Sequence, residues 1–204
     1  LTFHAFLKGR FSSDLLLMLK RSILDGLAVM IAGSATQTSD LIRKYVEDAK
    51  IDGKSRILGS SISTSAQLAA LANGISGHAM DYDDTQLSSL PNRVYGLLTH
   101  PTVPPLAAVL ALSQEIECTI GQILIAYCIG LEVECKIAEA INPNHYKRGF
   151  HSTGTIGIFG ATAVAAKLFG LSNTQIRYAL GIAVSKSAGL RVNFGTMMKP
   201  YHAG

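Results

Sequence analysis

Apolar residues recur at three- and four-residue intervals over most of the chain, the spacing that places them on one face of an α-helix. In the segment 39–50, for example, Leu41, Ile42, Tyr45 and Val46 share one face and charged residues fill the other. The pattern predicts helices over about 14–32, 39–50, 65–74, 101–115, 120–141, 155–169 and 173–187. Helical segments separated by short turns favour an all-α fold.

Residues typical of helix ends support several of these boundaries. Thr119 with Gln122 and Ser172 with Gln175 have the spacing of a capping box, in which two side chains bind free backbone amides at the start of a helix. Gly33 follows the first apolar pattern and is a plausible stop. Ser13 or Asp14 is the expected cap at its start.

Strand patterns are nearly absent from the sequence. The segment 56–59 is a candidate for one very short strand, 86–100 reads as a long irregular loop, and 190–204 as irregular with a new helix beginning at its end. We find no repeat and no linker rich in glycine, serine or proline. We therefore expect a single helical domain over residues 1–204.

Small residues dominate two of the predicted helices. Gly154, Gly157 and Gly160 are spaced three apart, a pattern that could be taken for a phosphate-binding loop. No strand precedes them and the spacing matches neither common glycine-rich motif, so close helix packing is the better interpretation. We expect a multi-helix domain packed through small residues.

Composition and charge exclude several classes of protein. The 204 residues are 48% hydrophobic and 16% charged, which argues against disorder. The net charge of +4 is spread without a basic block, so nucleic acid is not an expected partner. The longest apolar run, 123–131, is too short for a bilayer, which takes about 20 residues.

The three cysteines form no paired motif and are expected to be reduced core thiols of an intracellular protein. No secretory leader pattern is visible at the start of the chain. We therefore expect a cytoplasmic location, or the mitochondrial matrix in a eukaryote.

Three carboxylates within four residues, Asp81, Asp83 and Asp84, form the most unusual polar patch. Mutual repulsion can raise the pKa of one of them and suit it to acid or base chemistry. The patch can equally be a solvated helix end, with one aspartate capping the next segment. A magnesium site would need a second acidic cluster, for which Glu132 and Glu134 are weak candidates.

His100 and His151 each come directly before a predicted helix. The positive end of the helix dipole disfavours imidazolium, so each ring would stay neutral and able to accept or donate a proton. Each can also be an ordinary surface or capping histidine. Arg148 and Lys199 supply cations suited to a substrate rich in carboxylates, although isolated surface charge is the simpler explanation.

Several segments together resemble the MmgE/PrpD family in the family's order. The resemblance is carried by four stretches, 77–85 (GHAMDYDDT), 96–102 (GLLTHPT), 148–155 (RGFHSTGT) and 195–204 (GTMMKPYHAG). Further similarity covers 163–170 and 179–183, so it spans nearly the whole chain.

This resemblance implies a large all-helical domain, with an additional α+β lid and further helices outside these 204 residues. Family members include 2-methylcitrate dehydratase, cis-aconitate decarboxylase and an iminodisuccinate epimerase. They act on small di- and tricarboxylates, use no metal or organic cofactor, and tend to be homodimers. The implied partners of this chain are therefore a small carboxylate substrate and a second copy of itself.

The resemblance also implies roles for particular residues. Asp81, Thr85, His100, His151 and Lys199 match positions where family members place catalytic or substrate-binding groups. We expect Asp81, His100, His151 and Lys199 to be catalytic, and Thr85, together with the basic residues Arg148 and His202, to bind substrate. A neutral histidine can abstract a proton alpha to a carboxylate, and a lysine can stabilise the developing charge. The residues alone do not decide which histidine is the base.

The leading hypothesis is a cofactor-independent lyase of the 2-methylcitrate dehydratase type. The segment between Thr85 and His100 is longer than in decarboxylase-like members, which argues against decarboxylation. The alternatives are an epimerase that uses the same proton abstraction, a magnesium-dependent enzyme, and a non-catalytic helical domain that dimerises.

Overall fold

A computed structural model describes residues 11–86 and 98–204, and helices account for most of this part of the chain. The helices are α1 (Ser13–Gly33), α2 (Gln37–Ala49), α3 (Ala66–His78), α4 (Val103–Glu115), α5 (Ile120–Ile141), α6 (Asn144–Lys147), α7 (Ser152–Leu168), α8 (Asn173–Lys186) and α9 (Met198–Tyr201). A 3₁₀ turn covers Arg191–Asn193. The predicted all-α fold is confirmed.

A two-stranded antiparallel ribbon connects α2 to α3. Its strands are β1 (Ser55–Arg56) and β2 (Ser63–Thr64), with Ser55 opposite Thr64. The predicted strand at 56–59 is therefore misplaced, because the chain turns away after Arg56. Most of the predicted long loop, residues 87–97, lies outside the described residues.

Helix starts differ from the predictions where a cap was misjudged. Ser12, not Ser13 or Asp14, caps α1 by accepting a hydrogen bond from the Leu15 amide. Helix α7 begins at Ser152 rather than near residue 155, because the His151 carbonyl already accepts the Thr155 amide at 3.0 Å. His151 is thus the residue that caps the start of α7. The two predicted capping boxes, on α5 and α8, are both confirmed.

Helix α4 lies at the centre of the packing and contacts α3, α5 and α7. Val103, Leu106 and Val109 on this helix are almost completely buried. Helix α5 packs along α7, and α1 packs against α3. None of the described helices combines the length and apolar character that crossing a bilayer requires.

Close approach between helices depends on glycine, as predicted. A Cβ added to Gly157 on α7 would lie 2.6 Å from Pro104 Cγ, and one on Gly130 of α5 would lie 2.7 Å from Val164 Cγ2. Such distances are shorter than van der Waals contact, so a larger residue would push the helices apart. The helix-packing interpretation of Gly157 and its neighbours is confirmed, and this packing brings α5 and α7 together beside the residues described next.

Candidate active site

A cleft of about 210 Å³ opens where the end of α3, the segment before α4, the start of α7 and the residues around α9 meet. Its lining residues are Asp81, Thr85, Leu98, His100, Tyr146, His151, Thr153, Phe194 and Lys199. The structure therefore brings together Asp81, Thr85, His100, His151 and Lys199, which are distant in sequence. Their roles in chemistry stay predictions.

Two other predicted residues are placed differently. Arg148 follows α6, is exposed, and is not among the residues that line the cleft. His202 lies behind His151, where its Nδ1 is 3.1 Å from His151 Nδ1, and it too does not line the cleft. In this arrangement neither side chain faces the space that a substrate would occupy.

Asp81 and Lys199 form an ion pair across the cleft. Asp81 has a φ of +58°, a left-handed conformation that aspartate adopts more readily than most residues. This turn directs its carboxylate toward the Lys199 ammonium, which also lies 5.1 Å from the centre of the Phe194 ring. The pair gives the cleft a cation that is shielded from solvent and held in place.

Asp83 is buried between two histidines. Its Oδ2 is 2.7 Å from His78 Nδ1, while its backbone oxygen and Oδ1 lie 3.1 Å and 3.4 Å from His100 Nδ1. Burial acts to raise the pKa of Asp83, but hydrogen bonds from His100 and His78 outweigh it and hold the pKa well below its usual range. Asp83 is therefore a carboxylate that orients both rings.

His100 responds in the opposite sense. Burial acts to lower its pKa, but the Asp83 carboxylate outweighs this and raises the pKa above the usual histidine value. Because Nδ1 faces the oxygens of Asp83, it carries a proton, and Nε2 is the nitrogen nearer to Asp81, at 3.7 Å from its Oδ1. His100 thus presents Nε2 to the cleft.

His151 is held as a neutral imidazole. Its backbone amide donates to Gly189 O at 3.1 Å, and its ring stacks on His78 with 5.3 Å between centroids. Burial, together with nearby His78, His202 and Lys199, lowers the pKa of His151 to about 3. The prediction that both rings stay uncharged agrees with the surroundings of His151 but not with those of His100, where Asp83 raises the pKa.

Asp84, the third carboxylate of the patch, has a structural role. It accepts hydrogen bonds from the Thr102 amide at 3.2 Å and the Thr102 hydroxyl at 2.8 Å, at the start of α4. Burial raises the pKa of Asp84. The alternative that one aspartate caps the next segment is therefore correct for Asp84, and each carboxylate of the patch has its own partner.

Comparison with known proteins establishes the family of the chain. The model of the MmgE/PrpD N-terminal domain matches residues 8–204. The chain belongs to the MmgE/PrpD family. It is 30% identical over 207 residues to human cis-aconitate decarboxylase, covering 98% of this chain and 41% of that protein.

Similar matches are found to the cis-aconitate decarboxylases of mouse, at 30% identity over 91% of this chain and 37% of that protein, and of Aspergillus terreus, at 28% over 94% and 39%. The chain thus spans about two fifths of the length of these relatives. It corresponds to the N-terminal helical domain of an MmgE/PrpD protein.

Four groups of this MmgE/PrpD domain are close enough to hold a metal ion. Ligand atoms of His78, Asp81, Asp83 and His100 lie within 4.8 Å of one another. However, Asp81 is paired with the Lys199 ammonium, and Asp83 already accepts hydrogen bonds from His78. The cation and the hydrogen bonds occupy the positions that a metal would need, so the set suits a hydrogen-bonded network better.

Sequence reasoning missed several residues that complete the site. His78 and Asp83 connect the rings, while Tyr146 and Phe194 line the cleft. His78 lies in the glycine- and alanine-rich sequence of α3, where a single histidine does not by itself indicate a functional site. Phe194 falls in the segment taken as irregular, so only the tertiary contacts reveal it.

Glu134 is the other buried acid near the site, but it is not a partner of the aspartate patch in a metal site. It is completely buried on α5, where its Oε1 accepts a hydrogen bond from the Thr99 hydroxyl. Burial raises the pKa of Glu134 well above its usual value, which favours its protonated form. A protonated carboxyl is a poor ligand for magnesium, so Glu134 is a poor second carboxylate for the magnesium hypothesis.

Proposed function

We propose that the protein carrying this domain is a lyase that acts on a small di- or tricarboxylate by moving a proton at the carbon alpha to a carboxylate. The observation that carries the proposal is the cleft in which His100, His151 and Lys199 face one another. Acid–base chemistry needs two such groups within reach of one substrate. Membership of the MmgE/PrpD family supports the same class of reaction.

Substrate binding follows from the charges of the cleft. A substrate carboxylate would compete with Asp81 for the Lys199 ammonium, and Thr85 would donate a hydrogen bond from the same wall. The cleft volume of about 210 Å³ lies below the ~300–1,000 Å³ typical of sites for larger ligands. The small volume favours a compact acid as the substrate.

Proton transfer is assigned to His100. In its neutral form His100 keeps the Nδ1 proton against Asp83 and offers the Nε2 lone pair, so the neutral ring would act as the base. In a dehydration, neutral His100 takes the proton from the alpha carbon and the electron pair forms the double bond. The hydroxyl then leaves as water with that same proton, while His151 donates a hydrogen bond to the leaving oxygen. Lys199 stabilises the negative charge that develops on the substrate carboxylate.

Decarboxylation is the second candidate, because the curated relatives are cis-aconitate decarboxylases. In that reaction the carbon–carbon bond to one carboxylate breaks, carbon dioxide leaves, and the released electron pair takes a proton at carbon from a histidine. The same cation and the same two histidines would serve both reactions. The longer segment that argues against decarboxylation lies largely outside the described residues, so the reaction must be decided by assay.

The test uses the full-length protein with cis-aconitate and 2-methylcitrate in separate reactions, followed by proton NMR in deuterated buffer. Release of carbon dioxide would identify a decarboxylase, and formation of an unsaturated tricarboxylate would identify a dehydratase. Deuterium exchange without either product would identify an epimerase. His100→Gln and Lys199→Met should abolish turnover, while Lys167→Met on the exposed end of α7 should not. Absence of turnover and exchange with every di- and tricarboxylate tried would refute the proposal.

We also propose that the full-length protein is a homodimer, as the family resemblance implies. Helix α8 supports this, since Tyr178, Ile182 and Val184 leave much of their apolar surface exposed on the described chain. Sedimentation of the full-length protein at several concentrations tests it, and a monomer at all of them would contradict it.

A further inference from the structure

His151 and His202 share a single hydrogen bond between like atoms. Their Nδ1 atoms are 3.1 Å apart, so one nitrogen must carry the proton and the other must accept it. Burial lowers the pKa of both rings, so both are neutral near pH 7 and each has one ring proton. Two proton arrangements are therefore possible. In one, His151 Nε2 carries a proton and can donate a hydrogen bond; in the other, it is unprotonated and can only accept one.

Asn193 distinguishes the two arrangements. Its side-chain Nδ2 lies 3.4 Å from His202 Nε2, and an amide nitrogen can only donate. His202 Nε2 is then the acceptor, which places the His202 proton on Nδ1. His202 Nδ1 donates in turn to His151 Nδ1, and the remaining proton of His151 must be on Nε2.

The ring of His202 is held firmly in this position. Its backbone amide donates to Lys199 O at 3.1 Å, in the same turn that presents the Lys199 ammonium. Gly154 lies so close that an added Cβ would be 2.6 Å from His202 Cβ, and one on Gly189 would be 3.3 Å from His202 Cγ. These contacts leave the ring little freedom to turn away from His151.

The second ring nitrogen of His151, Nε2, is available to bind a substrate. His151 Nε2 is buried and has no hydrogen-bond partner among the described residues, and His151 lines the cleft. A buried polar atom without a partner is unfavourable unless a ligand completes it. A proton on Nε2 would point to a substrate oxygen as that partner.

We propose that Asn193 and His202 are positioning residues that fix His151 as the Nε2–H tautomer, a hydrogen-bond donor toward the substrate. His202, for which substrate binding was expected, acts through His151 instead. The inference deepens the proposed function, in which His100 is the base and His151 donates a hydrogen bond to the substrate oxygen. Its main measurement needs no turnover, so the two proposals can fail separately.

The test is nitrogen NMR of the full-length protein labelled with ¹⁵N-histidine, in which protonated and bare imidazole nitrogens resonate far apart. His151 is assigned by its loss in His151→Gln. The expected result near pH 7 is a protonated Nε2 and a bare Nδ1 on His151. A protonated Nδ1 with a bare Nε2 would overturn the inference.

Two variants test the two positioning residues. His202→Leu removes the donor at similar size, and Asn193→Leu removes the group that orients His202, so both should convert His151 to a mixture of tautomers. His202→Asn should restore the Nε2–H form, because the new amide can donate to His151 Nδ1. Asn173→Leu, at the exposed start of α8, is the matched control and should leave the spectrum unchanged.

Turnover provides a second readout once a substrate is known. His202→Leu should lower kcat by about 10- to 100-fold with little change in KM, less than the ~10²–10⁴-fold of losing a general acid or base outright, and His202→Asn should recover most of it. If His202→Leu melts near the wild-type temperature but leaves the His151 tautomer unchanged, His202 has only a packing role and the inference is wrong.

Discussion

The Glu134 carboxyl accepts a hydrogen bond of 2.7 Å from the Thr99 hydroxyl, which ties helix α5 to the residue preceding His100. Both side chains are completely buried. The next amide, that of His100, donates to Thr153 Oγ1 at 3.0 Å, so α5 and α7 together hold this segment. The position of the proposed base therefore depends on a carboxyl buried deep in the helical core.

Glutamine should replace Glu134 with little loss, because it has the same shape and can accept the Thr99 hydrogen bond. Glu134→Ala should lower the free energy of unfolding by about 2–4 kcal/mol, from the cavity and the unsatisfied hydroxyl. Thermal melts and turnover of the full-length protein measure both effects. An equal loss of stability in Glu134→Gln and Glu134→Ala would show that neither the side-chain shape nor the hydrogen bond to Thr99 accounts for the effect.

The pH dependence of Glu134→Gln should reveal the raised pKa of Glu134. Above the usual glutamate pKa of about 4.3, the unfolded chain releases this proton and the folded chain keeps it. Wild-type stability therefore loses this contribution as pH rises, while the glutamine variant has none to lose. The stability of Glu134→Gln relative to wild type should increase from pH 4 to pH 8, and a constant difference would contradict the raised pKa of Glu134.

His151 should make the protein less stable on the acid side. Its pKa is about 3 when folded and about 6.5 when unfolded, so the unfolded chain binds the extra proton first as pH falls. This contribution to stability is complete above pH 6.5 and is lost progressively toward pH 3. His151→Gln should flatten the decline in melting temperature between pH 6.5 and pH 4.

His100 is the natural comparison, since its pKa is raised rather than lowered. Its contribution to stability is complete below the unfolded value of about 6.5 and is lost as pH rises through its folded pKa. His100→Gln should therefore remove stability mainly at low pH, opposite to His151→Gln. The same pH slope in both variants would show that the two rings do not differ as described.

Because Lys199 and Asp81 form an ion pair, replacing one or the other should have opposite effects on anion binding. Lys199→Met should weaken the binding of citrate, used as a probe, by about tenfold or more, because a shielded cation is lost. Asp81→Asn should strengthen citrate binding, since the competing carboxylate is gone, yet slow turnover. Isothermal calorimetry on the full-length protein measures both, with Lys167→Met as the control.

Gly157 should not tolerate a methyl group, because its added Cβ would lie 2.6 Å from Pro104 Cγ. Gly157→Ala is expected to lower the free energy of unfolding by about 1–3 kcal/mol. Gly181→Ala, in α8 with no atom within 4 Å of the added Cβ, should instead be stabilising by about 0.5–1 kcal/mol. Chemical denaturation measures the free energy of unfolding of both variants. The same change in Gly157→Ala and Gly181→Ala would contradict the packing argument.

Helix existence followed from the sequence because apolar spacing and caps are local. The periodicity and the capping box of Thr119 placed α5 at its observed bounds, and the two boxes formed as expected. Boundaries failed where no local signal marked them. Helix α7 starts three residues earlier than predicted because the His151 carbonyl accepts the Thr155 amide, a bond for which no capping side chain gives a signal in the sequence. Strand β1 forms by pairing with β2.

The candidate site was predicted as a set of residue types but not as a network. The motifs named Asp81, His100, His151 and Lys199, and the structure places all four at one cleft. The connecting residue Asp83 was seen only as part of a charged patch. Its function as the partner of two rings depends on distances between α3 and the segment before α4, which no local pattern encodes.

What the sequence determined by itself is therefore the helical class, the small-residue packing and the family, since each depends on local periodicity or on ordered motifs. Only the tertiary structure decided which carboxyl has a lowered pKa, which has a raised one, and which histidines line the cleft. Protonation depends on burial and on groups within a few ångströms. Asp83, Glu134 and His151 acquire their states from neighbours brought together by folding, and those states set the chemistry that the cleft can perform.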